Sequence, residues 1–166
     1  MKSKKIIIGS RGSKLALIYA ERAREKLLNF CSEVEIKKIV TDGDLNQKDR
    51  LSDIGGKGLF SKKIENNLIN NQIDIAVHAL KDMPSEEPED LITNCFLERN
   101  DPREVLISKN NNKIRNLKTN SVIGTSSLRR EYQLKRIRSD LKYKLIRGNV
   151  DTRINKLNDD LYDAII

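Results

Sequence analysis

At 166 residues, with 37% hydrophobic and 34% charged residues, the chain can hold one ordinary domain or two small ones around a real core. Aromatics at 4% and the absence of tryptophan leave few stacking platforms for single-stranded nucleic acid. No apolar run is long enough for a helical membrane span and no signal-peptide core opens the chain, so no membrane partner and a cytoplasmic location are expected.

Residues 4–9 read as a first strand built on Ile6, Ile7 and Ile8. A polar turn, Ser10-Arg11-Gly12-Ser13, hands over to a helix at 15–30, with Ser13 as its N-cap. Residues 34–40 alternate as a second strand. The polar stretch 41–52 lacks periodicity and reads as a long surface loop. Gly55-Gly56-Lys57-Gly58-Leu59-Phe60 lets backbone approach a ligand but lacks the spacing of a phosphate-binding P-loop. A helix at 61–70 follows, then a third strand at 73–77.

That strand ends in His78-Ala79-Leu80-Lys81-Asp82, and ligands of open α/β sheets bind at the carboxyl ends of strands. Residues 91–97 read as a fourth strand. Asn100-Asp101-Pro102-Arg103 reads as a crossover between domains at 1–99 and 104–166, and a short strand is expected at 105–108. Two junctions then repeat one design. Val122-Ile123 leads into Gly124-Thr125-Ser126-Ser127-Leu128-Arg129-Arg130, and Leu145-Ile146 leads into Arg147-Gly148-Asn149-Val150-Asp151-Thr152-Arg153. A basic helix at 128–138 lies between them. Residues 161–166 look like a strand beginning, so the second lobe is expected to be incomplete and the chain to be the front of a longer protein.

A strand–helix junction offers free N–H groups and the positive end of the helix dipole. Arginines in the first turn oppose that dipole by roughly 0.3–1 kcal/mol, so Arg129 and Arg130 call for an incoming anion. Of the formal net charge of +8, residues 121–153 carry nine Lys/Arg against three acids. The concentration points to an acidic partner. Cys31 and Cys95 stand apart without metal-ligand spacing, and no metal site is expected. The alternation of strands and helices gives an α/β fold in two lobes, with mainly parallel sheets and an inter-domain cleft onto which the polar turns face.

Six blocks in order resemble the porphobilinogen deaminase (hydroxymethylbilane synthase) family. They are Gly9-Ser10-Arg11 with Ser13 and Leu15-Ala16-Leu17; Gly55 through Phe60; Asp74-Ile75-Ala76-Val77-His78 with Lys81-Asp82; Asn100-Asp101-Pro102-Arg103; Gly124 through Arg130; and Arg147-Gly148-Asn149-Val150 with Thr152-Arg153. The resemblance implies a two-lobed, periplasmic-binding-protein-like fold. It implies a transferase that condenses four porphobilinogen molecules into the linear tetrapyrrole hydroxymethylbilane, releasing ammonia, in haem biosynthesis.

It further implies a dipyrromethane cofactor, covalently held by a cysteine that lies in a third domain of the family and is matched by neither Cys31 nor Cys95. Asp82 then becomes the catalytic carboxylate. Lys81, Thr125, Ser126, Ser127, Arg129, Arg130 and Ser13 become cofactor contacts, and Arg11, Arg147, Arg153, Lys57 and Phe60 substrate contacts. Asp53 and Asp42 depart from the family, which usually has a basic residue, or threonine in the second case, at these places. A monomer is expected, and residues 1–166 alone are expected to make no hydroxymethylbilane. Two other readings use the same residues. A two-lobed small-anion binding protein without catalysis gains nothing from Asp82 among arginines, and a nucleic-acid-binding domain needs an exposed basic stripe and a steep salt dependence.

Overall fold

The computed structural model describes residues 5–45, 58–86 and 88–166. They belong to two compact units, Met1–Glu98 and Arg99–Ile166.

The first unit is built on β1 (Lys5–Arg11), the central strand of a parallel sheet ordered β2-β1-β3, with β2 at Glu33–Ile39 and β3 at Ile75–Ala76. A central parallel strand is covered on both faces, so it carries consecutive apolar residues rather than an alternation. Ile8 packs with Ala20 and Ala23 of α1 (Lys14–Leu27) and with Val34. Ile7 turns to the other face, against Ile39, Ile73 and Ile64 of α3 (Lys62–Ile69). Ile8 and Ile64 are almost wholly buried, each stabilising the unit by roughly 1.5–3 kcal/mol. Ser13 caps α1, its hydroxyl accepting from the Ala16 N–H at 3.3 Å. Because the strands are parallel, their carboxyl ends share one edge of the sheet. That edge receives Arg11 from β1, the residues after Ile39 from β2, and the 3-10 turn Leu80–Asp82 that follows β3.

The second unit has a four-stranded sheet ordered β4-β7-β5-β6, comprising β4 (Ile107–Ser108), β5 (Val122–Gly124), β6 (Lys142–Lys144) and β7 (Ala164–Ile165). Only the β4–β7 pair is antiparallel. Leu134 of α4 (Leu128–Ile137) covers one face with Ile123, Leu141 and Ala164. Ile154 and Leu157 of α5 (Val150–Asn158) cover the other, with Ile146, Tyr162 and Ile165. Arg138, just past α4, donates to the carbonyls of Ile114 at 2.7 Å and Leu117 at 2.9 Å, tying residues 114–117 to the sheet. Its hydrogen bonds hold the Asp140 carboxyl down at about 2.

The mixed α/β class with mainly parallel sheets is as expected from the sequence. Three local expectations differ. Residues 91–97 form no strand; Ile92 and Phe96 are 79% and 65% exposed. An apolar run becomes a strand only where a neighbour supplies the ladder, and none among the described residues does. The stretch after β2 is not all loop, because α2 (Asp42–Leu45) is a helical turn. Thr41 O accepts from Asp44 N at 3.0 Å while the Asp44 carboxylate reaches back to Thr41 N at 3.2 Å, the second contact being the return half of a capping box. The sixth strand precedes Leu145-Ile146, since β5 spans three residues and its ladder stops at Lys144.

Ser127 caps α4, accepting from the Arg130 N–H at 3.4 Å, while its own N–H donates to Thr125 Oγ1 at 3.2 Å. Ser127→Ala should cost the second unit about 1 kcal/mol. Thermal unfolding should show a midpoint lower by roughly 4–8 °C, the shift appropriate to a unit of this size. An unchanged midpoint would show that the hydroxyl contributes nothing as a cap.

Candidate active site

At the carboxyl edge of the first sheet, Arg11 is the hub. Its Nε lies 3.1 Å from Asp44 Oδ1, with Nη2 on the same oxygen. Its Nη1 lies 3.9 Å from Asp82 Oδ2. The face of the guanidinium stacks on the Phe60 ring, 4.1 Å from its centroid. Arg11 is 16% exposed and Asp82 26%, so both stay reachable by a small molecule.

The ring is fixed from behind. His78 Nε2 meets the Phe60 carbonyl at 2.9 Å, Gly43 N donates to Leu59 O at 3.0 Å, and a Cβ on Gly43 would run into the Phe60 ring. Glycine at 43 is therefore a requirement of the ring's position. Lys81 is exposed on the 3-10 turn beside Asp82. The Ser13 hydroxyl is engaged as the cap of α1. Asp42 pairs with Lys63 at 2.7 Å. Lys57 and Asp53 lie outside the described residues.

In the second unit the two arginine-bearing junctions follow β5 and β6 at one sheet edge. Thr125 is 2% exposed and Arg147 9%, with Ser126 and Arg153 half-buried. Gly148 takes φ +113, and a Cβ there would lie 2.7 Å from Thr152 Cγ2. Only glycine turns the chain there without strain, delivering Arg147 and Arg153 to the same place. Arg153 Nε donates to Gly148 O at 2.8 Å. Burial first, then the neighbouring Arg147 and Arg130, push the Arg153 guanidinium below its ordinary value. Arg130 Nε is buried and has no hydrogen-bond acceptor among the described residues. A cluster of cations that repel one another, one with a buried donor lacking an acceptor, is an arrangement that a bound anion would stabilise.

The anion already on Arg129 and Arg130 is a carboxylate of the chain itself. Glu104 accepts from Arg129 Nη2 at 2.7 Å and from Arg130 Nη2 at 2.6 Å. Hydrogen bonds from Arg129, then Arg130, hold its carboxyl below the usual range. A depressed carboxyl stabilises the fold above its unfolded value, about 4.3, and the contribution is lost as pH falls through the folded value. With Glu104 40% exposed, screening limits this to about 1 kcal/mol or less. Glu104→Gln should therefore unfold at a lower temperature than wild type at pH 7. The gap should close below about pH 4, measured as midpoints from pH 7 to pH 3. A gap constant across that range would show that the charge of Glu104 does not matter.

The structure brings Arg11, Phe60 and Asp82 together in the first unit, and Thr125, Arg130, Arg147 and Arg153 at one edge in the second. Sequence reasoning missed Asp44, Thr41 and Glu104. The first two carried a signal, an acid three residues after a threonine, which is the spacing of a capping box. Glu104 had none, because it meets its arginines 25 residues away. Cys31 is half-buried and Cys95 exposed. Among the described residues no group of three or more His, Cys, Asp or Glu is placed to hold a metal, and no helix is long and apolar enough to cross a membrane.

Residues 6–166 match the family model described as "Porphobilinogen deaminase, dipyromethane cofactor binding domain". The chain belongs to the porphobilinogen deaminase family. The curated porphobilinogen deaminase of Bacillus subtilis (strain 168) is 53% identical over 163 residues, covering 97% of this chain and 52% of that protein. Those of Geobacillus sp. (strain WCH70) and Bacillus mycoides (strain KBAB4) are 51% and 50% identical over 165 residues, each covering 98% of this chain and 53% of theirs. The chain thus spans about half the length of the curated porphobilinogen deaminases it matches. Family membership also gives the fold its class, that of the periplasmic-binding-protein-like folds.

Proposed function

We propose that the natural protein carrying these residues is a hydroxymethylbilane synthase, which joins four porphobilinogen molecules head to tail into hydroxymethylbilane and releases four ammonia molecules. The observation that carries the reading is the trio at the first sheet edge: a carboxylate, Asp82, 3.9 Å from the guanidinium of Arg11, which is stacked on Phe60. A site that only gathered anions would have no use for a carboxylate there. A site that must stabilise a cation while holding an anionic substrate needs both.

Porphobilinogen carries an acetate and a propionate, and loses ammonia to leave a cationic pyrrole ring. In this reading Arg11 takes a substrate carboxylate in a charge-assisted contact, and Phe60 bounds the ring. Asp82 lies beside the pyrrole N–H, stabilises the positive charge, and assists the proton's departure after the new bond forms. Arg147 and Arg153, and Lys57 on the glycine-rich segment, are assigned to the carboxylates of the substrate and the growing chain.

The residues of the second unit fit a dipyrromethane. Its carboxylates match the mutually repelling arginines and the unaccepted Arg130 Nε, and Thr125 and Ser126 add short hydroxyl donors. Arg129, Arg130, Thr125, Ser126 and Ser127 are the residues of this unit assigned to hold it, and the family resemblance adds Lys81 and Ser13 to the assignment. When bound, it supplies the two-pyrrole primer to which substrate units are added. The test is to purify the natural protein, weigh it for a covalent dipyrrole, and supply porphobilinogen. Ammonia and linear tetrapyrrole should appear in a ratio of four to one. Absence of both products would overturn the reading.

A further inference from the structure

We propose that Asp44 is a positioning residue of this site, which fixes the Arg11 guanidinium by one edge so that its other edge faces Asp82 and its flat face covers Phe60. The inference rests on the functional reading above, and concerns a carboxylate to which that reading gives no part.

A guanidinium presents two edges and two faces, and a lone arginine beside a carboxylate turns a bidentate edge onto it. Arg11 does not do this to Asp82. Its Nε–Nη2 edge is spent on Asp44, with Nε at 3.1 and 3.4 Å from the two oxygens and Nη2 on Oδ1. What remains toward Asp82 is Nη1, at 3.9 Å, longer than a hydrogen bond.

Asp44 can impose this because it is itself held. Its Oδ2 accepts from Thr41 N at 3.2 Å and from Thr41 Oγ1 at 2.7 Å, and Thr41 is fully buried. Asp44 and Arg11 are only 18% and 16% exposed, so water competes weakly for the pair. Burial works to raise the Asp44 carboxyl, but hydrogen bonds from Arg11 and Thr41 together outweigh it and keep it below its ordinary value.

Two consequences follow for the chemistry. Asp82 keeps its oxygens available for a pyrrole N–H instead of surrendering them to an arginine fork. Arg11 offers an incoming carboxylate a single, pre-aimed edge, with its rotational freedom already lost before substrate arrives. The neighbouring chain supports the same geometry, since Gly43 lies under the Phe60 ring one residue before Asp44.

The test is a double-mutant cycle in the natural, cofactor-loaded protein, using Asp44→Asn, Arg11→Gln and both together. Asparagine keeps an oxygen for Thr41, so the turn is retained, while the charged two-point grip on Arg11 is lost. The Arg11 Nε–H resonance should show slow hydrogen exchange in wild type and fast exchange in Asp44→Asn. The kcat of Asp44→Asn should fall by about 10–100-fold, yet adding it to Arg11→Gln should change kcat by less than about twofold. An unchanged Arg11 signal, or an equal loss in both backgrounds, would overturn the proposal, the second by showing a structural effect that does not pass through Arg11. Failure of the functional reading would appear separately, as wild type making no tetrapyrrole. The Arg11 signal alone then decides whether Asp44 holds the guanidinium.

Discussion

Replacing Asp82 by alanine in the natural protein is expected to lower kcat by about 10²–10⁴-fold, the range for losing a group that handles a proton in the transition state. The KM for porphobilinogen should stay near its wild-type value. The split follows from the geometry. Asp82 is one of two carboxylates near Arg11, and the other, Asp44, has the firmer hold. Removing Asp82 therefore leaves Arg11 in place on Phe60, still able to take a substrate carboxylate. In the proposed reaction, what disappears is the negative charge facing the ring when ammonia leaves, an interaction made mainly in the transition state, so its loss should read in kcat.

Asp82→Asn and Asp82→Glu sharpen the test. Asparagine keeps a hydrogen-bond acceptor without the charge and should be almost as slow as alanine. Glutamate keeps the charge on a longer arm and should recover part of the rate. Near-normal turnover by Asp82→Ala, or equal rates for asparagine and glutamate, would remove the carboxylate from the mechanism.

How much of this site was readable beforehand depended on whether the relevant contact was local. Ile6-Ile7-Ile8 reads as a buried strand because covering both faces of a parallel sheet demands an unbroken apolar run, and that demand is written in adjacent letters. Ser13 was legible as a cap for the same reason, since a cap acts within three residues. That Arg11 and Asp82 belong to one edge follows from parallel strands having their carboxyl ends on the same side, once β1 and β3 are taken to pair.

Residues 91–97 failed because strand formation needs a partner, which the segment's own pattern does not specify. Glu104 failed for a related reason. The misplaced arginines at 129 and 130 do announce an anion, but whether that anion is a ligand or a side chain 25 residues upstream is a tertiary fact. Asp44 lay between the two, its capping-box spacing visible and its grip on Arg11 not.

Arg130→Gln is expected to leave the natural protein largely without its dipyrrole adduct, seen directly as the mass of the purified chain. In the structure Arg130 donates from Nη2 to Glu104 at 2.6 Å and from Nη1 to Ile166 O at 3.2 Å, and its Nε has no acceptor among the described residues. It also adds to the repulsion that depresses Arg153. Without an anion this arrangement is costly, and a ligand bearing several carboxylates converts the repulsion into attraction at each arginine. Losing one charge-assisted contact of this kind costs about 1.5–3 kcal/mol, or roughly 10–100-fold in affinity before the covalent bond forms.

Glu104→Gln is the informative counterpart. Glu104 occupies Arg129 and Arg130, and if these bind the cofactor as proposed, weakening it should leave adduct formation intact or raise it. The two variants move the local charge in opposite directions, while both break the same ion pair. A general loss of packing would lower loading in both. Loss of the cofactor's receptor lowers it in Arg130→Gln alone, with that variant still unfolding cooperatively. Full loading of Arg130→Gln would show that the arginines gathered at this edge answer only to Glu104.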